Sequence, residues 1–157
     1  MHFDIIGIGD SLTYGYPWDP SRVWLTQLGD ILGLEVLNAG RNGDTTEGMR
    51  RRFSLVLKEK PKKVFIMGGI NDFFQGISAE NAANNLFAMA RAAKEEGIEP
   101  ILGIPHALYL GGESFFDPGG QRKAIDAKIL ALRNYILDAG YAYVDFFHAL
   151  EKEKEKE

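Results

Sequence analysis

An apolar run that ends in a small, polar turn lies close to the N-terminus. We predict a buried strand at residues 2–9. The strand runs into a small polar turn, Gly9-Asp10-Ser11-Leu12-Thr13. A strand that ends in such a turn carries a hydroxyl to the carboxyl edge of a sheet, where α/β proteins hold their catalytic groups. Ser11 is therefore a candidate nucleophile, which also needs a base, an orienting carboxylate and donors for an oxyanion.

Five apolar segments of strand length alternate with four helical patterns along the chain. We predict strands at residues 2–9, 34–37, 64–67, 101–104 and 141–147. We predict helices at residues 19–32, 44–60 and 78–96, and a last one that stops at Gly140. This alternation predicts an α/β fold of three layers, with a doubly wound parallel five-stranded sheet and helices on both faces.

The loops after these strands hold the polar residues that catalysis needs. Because the carboxyl ends of parallel strands meet at one edge, we expect these loop residues to gather there. The residues that fall in or next to these loops are Ser11, Gly43, Asn71, His106 and Asp145. The long irregular segment 105–120 is rich in aromatic residues, and we expect it to lie over the site.

The helix after the glycine-rich loop 40–44 shows two local signals. Asp44 and Glu47 have the spacing of a capping box, which predicts Asp44 as the cap. The apolar residues that recur at helical spacing and predict the buried stripe are Met49, Phe53, Val56 and Leu57. Arg50, Arg51 and Arg52 include the outward faces.

Composition limits the class of protein. A chain of 157 residues with 45% hydrophobic content predicts a single domain at residues 1–150, and the alternating Glu and Lys of 151–157 predict a disordered tail. The absence of cysteine excludes disulfides and thiolate nucleophiles, and the formal charge of −4 argues against a nucleic-acid partner. We find no signal peptide or membrane span and expect a cytoplasmic protein, with its oligomeric state left open.

Three sequence blocks together resemble those of a known family. Gly9-Asp10-Ser11-Leu12 resembles the signature of the GDSL, or SGNH, hydrolases. Asn38-Ala39-Gly40-Arg41-Asn42-Gly43-Asp44-Thr45 is similar to the family's glycine block, and Gly69-Ile70-Asn71-Asp72 to its Gly-x-Asn-Asp block. The blocks stand in the family's order, so the resemblance covers residues 3 to 147. It implies a flavodoxin-like SGNH hydrolase fold with strand order 2-1-3-4-5.

The resemblance implies a serine hydrolase that cleaves carboxylic esters through an acyl-enzyme. Ser11 attacks the carbonyl, a histidine moves the proton, and water releases the acyl group. The N–H groups of Ser11 and Gly43 and the side chain of Asn71 bind the oxyanion. No metal or organic cofactor is needed. The implied substrate is a small-molecule acyl or acetyl ester, and acetylated carbohydrates, short-chain esters, lysophospholipids and thioesters all remain open.

Each of these residues also has a structural explanation. Ser11 can satisfy backbone amides at the turn, Gly43 can be a turn glycine with positive φ, and Asn71 can cap a backbone group. The presence of all three blocks in one chain favours the catalytic interpretation.

The base is the point at which this chain departs from the family. The family takes its aspartate and histidine from an Asp-x-x-His block on a loop well after strand five. Here the block is Asp145-Phe146-Phe147-His148, inside or just past that strand. Strands one and five are three spacings apart, about 14 Å, whereas three extended residues reach only about 10 Å.

The sequence therefore leaves several candidates for the base. Asp145 and His148 are the catalytic pair that the block suggests. In the structural alternative, Asp145 ends the strand and a partly exposed His148 opens a helix. His106, after strand four, is a further candidate. We also hypothesise that a C-terminal segment beyond these residues carries the working Asp-x-x-His.

A second function is compatible with the same fold. A flavodoxin-like binding module would use the same sheet edge for a phosphate or a nucleotide, without catalysis. The chain has no Gly-x-x-x-x-Gly-Lys-Ser/Thr, and Gly7 and Gly9 do not continue into Gly-x-Gly-x-x-Gly. The loop sequences thus favour the hydrolase.

Overall fold

The computed structural model of the protein describes residues 2–108 and 117–155. Strands and helices alternate along the chain. The strands are β1 (Ile5–Gly9), β2 (Val36–Gly40), β3 (Lys63–Met67), β4 (Glu99–Ile104) and β5 (Ala142–Asp145). The helices are α1 (Ser11–Tyr14), α2 (Trp24–Leu32), α3 (Thr46–Glu59), α4 (Ile70–Phe74), α5 (Ala79–Glu95), α6 (Gln121–Asp138) and α7 (Phe146–Glu155). Two short 3-10 helices cover Pro20–Arg22 and Pro118–Gly120.

The strands form one parallel sheet in the order β2-β1-β3-β4-β5. At its carboxyl edge Gly9 lies between Gly40 and Met67, so the loops after the first three strands start side by side. Ile104 pairs with Asp145 at the same edge of the last two strands. The predicted three-layer α/β fold and its strand order are confirmed.

The larger core lies on the sheet face that α3, α5 and α6 cover. Val64 and Ile66 of β3 point into this core, whereas the intervening Phe65 points to the opposite face. There the Phe65 ring packs edge-on against Trp24 of α2, with centroids 5.0 Å apart. Phe146, the first residue of α7, joins the same ring cluster at 5.5 Å from Trp24. The sheet is thus packed on both faces.

The cap of α3 differs from the predicted one by a single residue. Thr45 precedes the helix, and its hydroxyl accepts from Gly48 N at 3.1 Å. Asp44 is therefore not the cap, and Glu47 instead pairs with Arg51 on the surface at 2.8 Å. The capping-box prediction is wrong because Thr45, the residue after Asp44, also has a side chain that can cap a helix. The Asp44 carboxylate accepts from Arg52 instead.

The C-terminal elements also differ from the sequence prediction. β5 ends at Asp145, two residues earlier than predicted, because Asp145 Oδ1 accepts from His148 N at 3.0 Å and starts a helix. The structure places residues 151–155, which we expected to be disordered, in α7. Alanine, leucine, glutamate and lysine are strong helix formers, so they extend a helix that is already nucleated. Residues 156 and 157 lie outside the described part.

Across the described residues, none of the helices combines the length and apolarity that crossing a bilayer requires.

Candidate active site

Ser11 lies directly after the first strand, at the start of α1. Asp10 caps this short helix, and its Oδ1 accepts from Leu12 N at 2.9 Å. Ser11 itself is half-buried, so its hydroxyl can meet a ligand. The turn requires glycine before it, because a Cβ on Gly9 would lie 2.2 Å from Thr13 Oγ1 and 2.8 Å from Met67 O. The structure thus explains the residues around the serine as well as its position.

Asp10 is a buried carboxyl next to Ser11. It is 2% exposed, and this burial raises its pKa to about 6, although the bond from Leu12 N acts in the opposite direction. The neighbouring carboxylates of Asp44 and Asp72 raise the pKa further. Asp10 shapes the turn through its bond to the backbone.

Gly43 lies at the tip of the loop after β2. Asp44 N donates to Arg41 O at 3.1 Å and closes a four-residue turn, in which Gly43 has φ of 77°. Positive φ at this place in a turn favours glycine. The residue is exposed, and a Cβ built on it would have no atom within 4 Å. The backbone at Gly43 is therefore open to a ligand.

Asn71 lies in the first turn of α4, after β3. Its Nδ2 donates to Asp44 O at 2.9 Å, which joins the loop after β3 to the loop after β2. An amide group has two N–H donors, so one remains available. The structure thus shows the structural role of Asn71, which satisfies a backbone carbonyl, and leaves its second N–H available for the predicted role as an oxyanion donor.

The next residue, Asp72, also joins the loop after β3 to the loop after β2. Its side chain is fully buried and accepts from Thr46 N at 2.8 Å and from Thr46 Oγ1 at 2.5 Å. Asn85 of α5 donates to Thr46 Oγ1 at 3.0 Å. Burial raises the pKa of Asp72, against the opposing effect of the Thr46 bonds. The network fixes the start of α3 against α4.

Arg52 is a residue of the candidate site that sequence reasoning missed. The helical pattern grouped it with the outward Arg50 and Arg51, but its side chain is only 14% exposed. Its guanidinium donates to Asp44 Oδ2 at 2.8 Å, to Ala39 O at 2.7 Å and to Gly9 O at 3.0 Å.

Arg52 thereby links three segments at the carboxyl edge of the sheet. It joins the ends of β1 and β2 to the loop that holds Gly43. Asp44 in turn offers its carbonyl to Asn71, so the contacts of Arg52 extend to the amide side chain.

Asp145 and His148 occupy the positions of the structural alternative. Asp145 Oδ2 accepts from Arg133 Nε at 2.9 Å, and Oδ1 accepts from the His148 backbone. Both carboxylate oxygens therefore have partners other than an imidazole ring. His148 is exposed in the first turn of α7, and β5 is separated from β1 by β3 and β4. The described contacts do not bring this pair together with Ser11.

His106 lies nearer to Ser11 than His148 does along the sheet edge, because β4 is closer than β5 to β1. It follows β4 and lines a cavity of about 200 Å³ with Leu12, Trp24, Met67 and Phe146. Its Nδ1 is 2.9 Å from Ala107 O. A carbonyl oxygen only accepts, so Nδ1 carries the proton in this contact and Nε2 is left as an acceptor. A neutral imidazole in this form can act as a base.

The predicted cover of the site, residues 105–120, is described only at its two ends. Residues 105–108 leave β4, and residues 117–120 lead into α6. The aromatic residues Tyr109, Phe115 and Phe116, which suggested a cover, lie outside the described residues.

The fold and the edge residues together define the class of protein. A five-stranded parallel sheet in this order presents a serine after β1, a glycine after β2 and an asparagine after β3. Ser11, Gly43 and Asn71 stand on adjacent loops, two of which share the Asn71–Asp44 bond. This is the SGNH hydrolase fold.

The chain belongs to the GDSL-like lipase/acylhydrolase family, whose sequence profile matches residues 8–157. It is 34% identical over 147 residues to a Bacillus subtilis protein named "Uncharacterized lipoprotein YqeF", covering 76% of this chain and 60% of that protein. It is 34% identical over 104 residues to "Esterase TesA" of Pseudomonas aeruginosa, covering 62% of this chain and 52% of the relative.

A solved structure supports the same assignment. A G-D-S-L family protein from Desulfitobacterium hafniense superposes with a TM-score of 0.76 at 29% identity, covering 90% of this chain and 76% of the other. The matches to YqeF and TesA span only 60% and 52% of those two proteins. The family, with its fold, is thus established for this chain.

Proposed function

We propose that this protein is a serine esterase that hydrolyses carboxylic esters through an acyl-enzyme on Ser11. The Ser11 hydroxyl attacks the acyl carbon, and the Ser11 and Gly43 N–H groups with Asn71 Nδ2 receive the oxyanion. A histidine takes the serine proton and gives it to the leaving alcohol. Family membership and the relative named as an esterase support this reaction.

One observation carries the proposal: Asn71 Nδ2 is held 2.9 Å from Asp44 O, directly after Gly43. That bond keeps the amide beside the open Gly43 backbone and leaves a second N–H for the substrate. Donors that are fixed before the substrate arrives need no reorganisation during the reaction, and this is how oxyanion sites gain their effect.

The identity of the base is the part of the mechanism with competing candidates. Asp145 and His148 remain the pair that the Asp-x-x-His block suggests, but Asp145 contacts Arg133 and the helix backbone. His106 lines the cavity next to Leu12 and has an acceptor nitrogen. Our proposal for the nucleophile and the oxyanion donors holds for either histidine.

Hydrolysis of p-nitrophenyl acetate by wild type and by Ser11→Ala tests the proposed reaction. We expect the wild type to release p-nitrophenol and the variant to approach the uncatalysed rate. Equal rates for the two proteins would remove the serine esterase and favour a binding module, for which the wild type should bind a phosphate or nucleotide ligand in calorimetry.

The role of Asn71 is tested by Asn71→Ala in the same assay. We expect kcat to fall by about 10² to 10³ with little change in KM, because the donor acts mainly on the transition state. Asn84→Ala, which removes an exposed amide from α5, is the matched control and should leave both constants unchanged. A change in KM alone would assign Asn71 to ground-state binding instead.

A further inference from the structure

A second cavity opens directly beside the nucleophile. It has a volume of about 310 Å³, and Ser11 lines it together with residues of the segment between α1 and α2. Two of these residues are aromatic: Tyr16 is 68% exposed and Trp18 is 65% exposed. Large aromatic side chains normally bury much of their surface, so two exposed rings in the nucleophile's own cavity indicate a ligand surface.

The segment that carries these rings lies between two helices that are bonded to each other. Trp24 Nε1 of α2 donates to Leu12 O of α1 at 3.2 Å, and within the segment Trp18 N donates to Gly15 O at 2.9 Å. The first bond fixes the two ends of the segment, and the second fixes the backbone turn that leads to Trp18. Rings on a backbone that is fixed in advance lose less freedom when a ligand binds, which favours affinity.

Arg22 gives the cavity its polar side. It lines the same space as Tyr16 and Trp18, and it forms no ion pair with any residue in the described ranges 2–108 and 117–155. Its guanidinium offers five N–H donors and a permanent positive charge. A cationic ligand is disfavoured by this charge. An alkyl chain would contact the rings but make no use of the donors of Arg22, which is exposed.

A sugar ring meets both requirements. Its C–H groups form an apolar face that packs on Tyr16 and Trp18, and its hydroxyl oxygens accept from Arg22. We propose that this cavity binds the alcohol part of the substrate and that the ester cleaved at Ser11 is an O-acylated carbohydrate. This inference rests on the proposed esterase function and adds the substrate class to it.

The position of the cavity fits the order of bond changes. Ser11 Oγ forms a bond to the acyl carbon, and the bond between that carbon and the sugar oxygen breaks. The sugar oxygen takes the proton that the base received from Ser11, and the free sugar leaves from between Trp18 and Arg22. The acyl group stays on Ser11 until water hydrolyses it.

Binding to the inactive Ser11→Ala protein tests the proposal without turnover. The probes are a mono-acetylated methyl glucoside and hexyl acetate, with the dissociation constants measured by ligand-observed NMR. We expect the glucoside ester to bind more tightly, and Trp18→Ala or Arg22→Gln in the Ser11→Ala background to weaken it about tenfold. Tyr135→Ala, which removes an exposed aromatic from α6 outside the cavity, is the matched control and should change nothing.

Two results would overturn the proposal: tighter binding of hexyl acetate, or binding of the glucoside ester that Trp18→Ala and Arg22→Gln leave unchanged. Acetate release is then measured with proteins that keep Ser11. This measurement distinguishes failure of the carbohydrate proposal from failure of the esterase function. If Ser11-dependent hydrolysis of hexyl acetate is present and Trp18→Ala does not lower the rate on the glucoside ester selectively, only the carbohydrate proposal fails. If Ser11→Ala has no effect on either ester, the esterase function fails.

Discussion

Arg52 occupies the position at which three segments of the chain meet. A guanidinium is planar and carries its donors in a fixed fork, which suits three acceptors that differ in direction. Lysine cannot reproduce this arrangement because its ammonium is a single point charge. We therefore regard Arg52 as a positioning residue: it holds Asp44, whose carbonyl holds Asn71.

Replacement of Arg52 should be costly for both stability and activity. In Arg52→Met the Asp44 carboxylate, 9% exposed, loses its partner, and we expect unfolding in urea to show a loss of about 3 kcal/mol. Arg52→Lys should restore part of this stability but leave kcat low, because the carbonyls of Gly9 and Ala39 lose their donors.

Arg51→Met provides the matched control for Arg52. Arg51 is 76% exposed and pairs with Glu47 on the surface, so its loss should change stability by less than about 1 kcal/mol and leave kcat unchanged. Equal effects of the two methionine variants, or full kcat in Arg52→Lys, would show that Arg52 does not position the site.

The raised pKa of Asp10 gives the protein a defined pH dependence. The pKa of the Asp10 carboxyl is about 6 in the folded state and 3.8 in the unfolded state, so the folded state keeps the proton up to a higher pH. Stability from this group is therefore greatest below the unfolded value and is lost as the pH rises from about 4 to about 6, by about 3 kcal/mol.

Asp10→Asn isolates this contribution from other titrating groups. Asparagine keeps the capping oxygen for Leu12 N but carries no charge. Urea unfolding at pH 4 and pH 7.5 should show that the variant gains stability relative to wild type at the higher pH. A difference between the two proteins that is the same at both pH values would mean that Asp10 is not destabilised by its burial.

The start of α7 is where a structural and a catalytic role for Asp145 compete. As a cap and a partner of Arg133, Asp145 contributes to stability, so Asp145→Ala should lower the unfolding free energy by about 1 to 2 kcal/mol. His148 is exposed, and its replacement by alanine should change stability by less than about 0.5 kcal/mol.

The two histidine variants then assign the base by activity alone. If His106→Ala abolishes ester hydrolysis while His148→Ala retains it, the base lies on the loop after β4. The opposite result would establish His148. Full activity in both variants would contradict either assignment, and together with an intact mass above that of the 157 residues it would support the hypothesis of a further Asp-x-x-His segment. Circular dichroism of each variant checks that the fold is retained.

α3 shows which features a local pattern can predict. The helical period correctly predicts the buried side chains of Met49, Phe53 and Val56. It does not place Arg52, because the acceptors of Arg52 are carbonyls at the ends of two strands that are distant in sequence. The available signal is spacing: Arg52 lies three residues after Met49 and four before Val56, at the border of the buried stripe.

The sequence predicts the sheet as a whole better than it predicts where each strand ends. Alternating apolar segments and helical patterns predict a doubly wound sheet, and Ser11, Gly43, Asn71 and His106 each follow their strand as expected. Asp145 instead is the last residue of β5. The order of the strands came from the family resemblance, since periodicity contains no information about neighbours. The end of β5 could not be predicted because it depends on the Asp145 cap.

The complete carboxyl edge combines the proposed nucleophile, an open glycine turn and the proposed amide donor. These features come from three loops that only the folded sheet brings together. In our proposal, substrate choice depends on a different part of the molecule, the segment between α1 and α2, whose aromatic residues lie outside the three sequence blocks. The reaction and its substrate class can therefore be tested separately.

Labelling with a fluorophosphonate tests the central claim most directly, because the reagent reacts with a serine only when that serine is activated. We predict one adduct per chain, located by peptide mass spectrometry on the peptide that contains residues 9–15, and no adduct in Ser11→Ala. An adduct on another serine, such as Ser54, or equal labelling of wild type and Ser11→Ala, would contradict the assignment of Ser11 as the nucleophile.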